Sequence, residues 1–135
     1  MNREDVLLFW KMFQPNFSSI LTEFYIDSTF TDVSLVCDDQ DPIRAHKAVL
    51  SACSPILKNL LLENPDSHTL LLTGVRGQEL QTVLQFMYIG DTNIDRGIIN
   101  KVLSLAKELG IKQFVDDKIV VNDFKHVATN TFNQN

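Results

Sequence analysis

The chain is 135 residues long, 44% apolar and 21% charged, with five glycines, four prolines and two cysteines. That length supports one domain with one core, and that mixture excludes a disordered polymer, a collagen-like rod and a disulfide-stapled scaffold. Seventeen acids against twelve Lys and Arg leave a net charge of −5, the wrong sign for a surface that tracks nucleic-acid phosphates or anionic lipid.

The start, Met1 to Asp5, is charged, and the apolar run behind it is broken by Lys11 and Gln14. It is too short for a membrane span and lacks a small-residue cleavage site, so neither a span nor a leader is expected. Val6 to Phe13 is nevertheless apolar at every position but Lys11. Its aromatic and β-branched content predicts a strand. Phe17, Ile20, Leu21 and Phe24 then recur at helical spacing, with Pro15 suited to the helix's first turn.

Phe30 to Cys37 reads as a strand with Val33, Leu35 and Cys37 on one face, and Ile43 to Ala45 returns after the Asp38–Pro42 turn. His46 to Cys53 has helical spacing through Val49, Leu50 and Cys53. Ser54-Pro55 interrupts it, with the serine placed to cap a second short helix carrying Ile56, Leu57, Leu60 and Leu61.

Thr69 to Thr73 is a continuous apolar run that predicts a buried strand. Leu80, Val83, Leu84 and Met87 predict a helix stopped by Gly90. Thr92 to Ile94 predicts a short strand. Asp95 is placed to cap a last helix through Ile99, Val102, Leu103, Ala106 and Leu109, stopped by Gly110 and followed by a turn over residues 112–117. The order predicts an α+β domain in which helices outweigh a small sheet. Residues 1–117 form that domain. Residues 118–135 lose the periodicity and read as a flexible linker or the start of an extension, though Ile119 to Val121 can pack locally.

Catalytic chemistry finds little support. Cys37, His46, Cys53 and His68 are spaced Cys-x8-His-x6-Cys-x14-His, without the close cysteine pair that anchors structural zinc. Neither cysteine has a basic cluster to lower its pKa, and both sit in apolar segments, as reduced thiols of the cytosol or nucleus do. Ser51 and Ser54 lack a nucleophile elbow, and the glycines stand singly, so no phosphate-cradling loop is present. No enzyme activity, cofactor or metal is expected. Taken on composition alone, Asp32 is an exposed acid at a strand edge. The apolar surplus around Phe9, Trp10, Phe13, Phe17 and Phe24 exceeds what a small core obviously needs, and it is either hidden within the domain or a partner surface.

Three segments carry a family resemblance: Phe30-Thr31-Asp32-Val33-Ser34-Leu35; Ala45-His46-Lys47-Ala48-Val49-Leu50-Ser51-Ala52-Cys53-Ser54-Pro55; and Phe86-Met87-Tyr88-Ile89-Gly90. Together they resemble a BTB/POZ domain over residues 5–117. Leu8-Phe9-Trp10 with Gln14 and Asn16 is similar to the opening of the insect tramtrack group, with Phe9 in place of a basic residue and Lys11 in place of an asparagine.

That resemblance implies a cluster of short helices beside a small, mostly three-stranded sheet, dimeric through an exchanged first strand and first helix. It implies larger homo-oligomers, association with related BTB domains, and a groove for corepressors. The interface residues it implies are Leu7, Phe9, Trp10, Phe13, Phe17, Ile20, Leu21 and Phe24, and a buried charge pair falls on Asp32 and Lys47. It further implies a nuclear regulator whose DNA contact is made by another module, such as downstream zinc fingers, or an architectural chromatin protein. The alternative is a substrate adaptor of a cullin-type ubiquitin ligase, which needs a helical extension that the asparagine-rich end does not resemble.

Overall fold

A computed structural model describes residues 4–39 and 41–111. Their order is α1 (Phe13–Asp27), β1 (Val33–Val36), β2 (Ile43–Ala45), α2 (Lys47–Cys53), α3 (Pro55–Glu63), β3 (Thr69–Leu71), α4 (Gly77–Ile89) and α5 (Ile99–Glu108). The expected α+β architecture is present. The sheet has order β2-β1-β3, with β1 antiparallel to β2 and parallel to β3.

The central strand dictates where the core lies. Val33, Leu35 and then Cys37 turn inward and are buried, while Ser34 and Val36 turn outward, as the two-residue period requires. Leu50 of α2, Leu57 and Leu61 of α3, Leu80, Val83, Leu84 and Tyr88 of α4, and Val102, Leu105 and Ala106 of α5 pack against that face. Helix α4 sits centrally, against α1, α2 and α5.

Ser54 joins two helices as anticipated. Its backbone N–H closes α2 on Leu50 O at 2.9 Å, and its Oγ accepts the N–H of Leu57 in the first turn of α3 at 3.0 Å. The same hydroxyl donates to Leu109 O beyond α5, which ties that end to α3. Gly90 and Gly110 end α4 and α5 with φ of +95° and +67°, a region that favours glycine.

Several expectations need correction. Residues 4–10 carry no regular structure, and Phe13 belongs to α1 rather than to a strand. A strand exists only with a laddered neighbour, and among the described residues that segment joins no ladder. Thr92 to Ile94 is likewise without strand pairing. Asp95 does not cap α5: its carboxylate accepts Gly97 N–H at 2.9 Å in a preceding turn, and α5 begins at Ile99.

Strand β3 is shorter than expected, and it is an edge strand rather than a buried one, with Leu71 67% exposed. In α3, Ile56 and Leu60 face outward while Leu57 and Leu61 are buried. Cys53 is half-buried, whereas Cys37 is buried as expected. The expected turn at 112–117 and the linker from 118 lie outside the described residues.

Candidate interaction surface

Helix α1 repeats apolar residues at helical spacing, yet none of its residues is buried in the chain. Phe13, Phe17 and Ile20 are exposed; Leu21, Phe24 and Tyr25 are half-buried. Ahead of the helix the exposure rises further, with Leu7 87% and Trp10 57% accessible. Their aromatic rings form a ladder. Trp10 meets Phe13 edge-on at 5.4 Å, and Phe13 stacks on Phe17 at 5.9 Å.

A large apolar side chain left in water forgoes roughly 1.5–3 kcal/mol of burial. Leu7, Phe9, Trp10, Phe13, Phe17 and Ile20 all do so side by side. A contiguous apolar surface of this kind marks a contact.

The far end of α1 is fastened to the core through His46. Its imidazole is buried, stacked on Phe24 at 5.8 Å and edge-on to Tyr88 at 5.5 Å. Nε2 lies 2.5 Å from Thr29 O and Nδ1 2.6 Å from the Tyr88 hydroxyl. A carbonyl only accepts, so Nε2 carries a proton and donates it to Thr29 O, while Nδ1 and the Tyr88 hydroxyl share the second hydrogen bond. The Tyr88 oxygen in turn accepts the His46 backbone N–H at 2.9 Å. Every polar atom in this joint has a partner, as burial requires. Burial pushes the Tyr88 hydroxyl up to about 12, and raises that of Tyr25, whose ring lies 5.1 Å from it.

Four consecutive residues, Arg44 to Lys47, grip the loop between α1 and β1. Arg44 donates to Thr31 O at 2.9 Å and to Thr31 Oγ1 at 3.2 Å. Ala45 O accepts Asp32 N–H at 3.0 Å, His46 holds Thr29 O, and Lys47 N–H donates to Asp32 Oδ1 at 2.8 Å. Between these fixed points Phe30 adopts φ of +60°, and Ser28, just before them, adopts +55°. For a bulky residue that conformation costs on the order of 1–3 kcal/mol.

Asp32 and Lys47 do meet, but in another form than a buried ion pair. Asp32 is exposed within the single chain, its carboxylate takes the backbone N–H of Lys47, and the Lys47 Nζ reaches Pro65 O at 3.3 Å. The carboxylate thereby starts α2, because a helix's first N–H groups lack internal partners. An open groove of about 310 Å³ lies beside it, lined by Ala48, Ser51, Ala52, Pro55 and Lys58.

Sequence reasoning missed the Tyr88 half of the joint. Its signal was present, since Tyr88 falls four residues after buried Leu84 on the same face. The left-handed turn at Phe30 has no such signal. Among the described residues no group of three metal-ligating side chains gathers, and no helix is long and apolar enough to cross a membrane.

Among the described residues, five helices and a three-stranded mixed sheet make a small α+β domain with exposed apolar residues along the first helix. The family model of the BTB/POZ domain matches residues 21–122, and the chain belongs to that family. It is 39% identical over 110 residues to Drosophila melanogaster Longitudinals lacking protein-like, covering 81% of this chain and 86% of that one. It is 35% identical to the alpha isoform of Drosophila melanogaster Protein tramtrack over 86% of this chain but only 14% of that protein. With Drosophila melanogaster Protein bric-a-brac 1 the identity is 34%, over 79% of this chain and 11% of that protein.

Solved structures share the fold. The BTB domain of zebrafish PATZ1 superposes with a TM-score of 0.71 at 19% identity, covering 83% of this chain and 92% of that one. The BTB domain of human Gigaxonin gives 0.67 at 22% identity, covering 80% and 89%.

Proposed function

We propose that this chain is a self-association module, its domain spanning residues 1–117, that assembles a nuclear transcriptional regulator or chromatin architectural protein. The observation that carries it is the contiguous exposed run from Leu7 through Ile20. Leu7, Phe9, Trp10, Phe13, Phe17, Ile20, Leu21 and Phe24 form the contact with a second copy.

Val6 to Phe13 and Thr92 to Ile94 both read as strands in the sequence, and among the described residues neither 6–10 nor 92–94 takes part in a strand ladder. They supply each other's ladder across the twofold axis, with the amino-terminal segment exchanged between copies. Larger homo-oligomers and mixed assemblies with related BTB domains build on that dimer, and corepressors enter grooves between its halves.

Net charge of −5 leaves DNA contact to another module, in the same polypeptide or in a BTB chain that this one joins. Assembly then raises the local concentration of those modules and tightens binding at clustered sites without new protein–DNA contacts.

The test is mass in solution across a range of protein concentrations. The wild type should be a dimer or larger, and Phe17→Asp combined with Phe13→Asp should reduce it to a folded monomer. A wild type that stays monomeric throughout overturns the reading. Stoichiometric capture of a cullin would move the function to a ubiquitin-ligase adaptor instead.

A further inference from the structure

Phe30 stands apart from the face of α1. It is 80% exposed, it lies in a left-handed conformation that L side chains rarely adopt, and it contacts Phe24 edge-on at 5.8 Å. The backbone on both sides of it is pinned, Thr29 by His46 and Thr31 and Asp32 by Arg44, Ala45 and Lys47. The loop is therefore held in the conformation that thrusts the phenyl ring into solvent.

Within the single chain those backbone contacts hold the strained turn, while the ring itself gains little, being 80% exposed. Strain of this kind persists where the surroundings over-determine it, and it gathers at binding sites. A rigidly presented aromatic also loses little freedom on docking.

We infer that Phe30 is a self-association anchor, which extends the contact made by α1 around the corner into β1 and docks against a second copy of this chain. The occupant is a second copy because the ring is continuous, through Phe24, with the aromatic surface assigned to self-association. The inference rests on that assignment and adds a residue that lies outside the helical stripe.

The experiment uses the full chain with Phe30→Gly and Phe30→Asn, both tolerant of the left-handed conformation. Removing the ring should raise the dissociation constant roughly ten-fold or more, read by light scattering over a concentration series. At dilutions where only monomer remains, both variants should unfold at the same denaturant concentration as the wild type or higher, since the strain is relieved. A structural role predicts the opposite pair of results, lost monomer stability with unchanged association, and that pair overturns the inference.

If those variants do not fold, Phe30→Cys decides. Its thiol should be shielded from a maleimide in the oligomer and react freely on dilution, above the slow background of Cys37 and Cys53. Equal rates in both states overturn the inference. A monomeric wild type sinks both this anchor and the self-association reading; an oligomeric wild type matched by its variants sinks only the anchor.

Discussion

Helices α1 and α4 look alike as sequence and behave oppositely in the fold. Both are long for this chain, and both repeat apolar residues at helical spacing. Yet α4 buries Leu80, Val83, Leu84 and Tyr88, whereas α1 buries nothing. Periodicity states that a face must leave water; it does not state what covers it. For α4 the cover is the rest of the chain. For α1 the inner edge, at Phe24 and Tyr25, lies against His46 and Tyr88, and the outer edge is exposed.

The sharpest way to break that contrast is truncation on each helix. Leu84→Ala should lower unfolding free energy by roughly 2–5 kcal/mol, because a cavity opens in a packed interior. Phe17→Ala should leave the isolated monomer within roughly 0.5 kcal/mol of the wild type while weakening assembly. Denaturant titrations at low and high protein concentration separate the two. A Phe17→Ala monomer as unstable as Leu84→Ala would place α1 in the core after all.

A smaller effect sharpens the contrast from the core side. Ser54 caps α3 and also holds Leu109 O, so Ser54→Ala removes a cap and leaves a buried carbonyl without its donor. Stability should fall by roughly 1–3 kcal/mol, with assembly unchanged once the folded fraction is allowed for.

The smallest effect lies at the joint between the two regions. The Tyr88 hydroxyl is raised to about 12 by burial, above the unfolded value near 10. A raised value means that the folded state holds the proton more tightly. The protection is whole below pH 10 and is lost as pH climbs from there to about 12. That difference caps the decline at about 2.7 kcal/mol, and Tyr88→Phe should flatten it. Unfolding curves at stepped alkaline pH measure both, and an equal slope in the variant would place the alkaline sensitivity elsewhere.

Much of this was readable beforehand. The Ser54-Pro55 break, the glycine stops at Gly90 and Gly110, the β1–β2 hairpin and the inward faces of β1, α4 and α5 follow from local rules of dihedral preference and period. The family was readable too, through residues 45–55 above all. His46 was legible as the hairpin's end but not as the buried fastening of α1, since its partners Thr29 and Tyr88 lie 17 and 42 residues away.

The errors share one physical origin. Val6 to Trp10 and Thr92 to Ile94 have the composition of strands, but strand formation is a property of pairs, and within one chain neither finds the other. Thr69 to Leu71 is apolar as if buried, but its place at the sheet's edge is set by strand order, which no window of residues contains.

The 135 residues determined by themselves the break between α2 and α3, the glycine stops of α4 and α5, which faces are apolar, and a net charge of −5. Only the tertiary structure decided which apolar faces find cover at home. It left α1 uncovered, and it holds the left-handed turn at Phe30 through contacts from Arg44 to Lys47, at the end of β2 and the start of α2. Local dihedral preferences act over a few residues and are written in order along the chain. Burial and strain are settled between segments far apart, and they exist only once the chain has closed on itself.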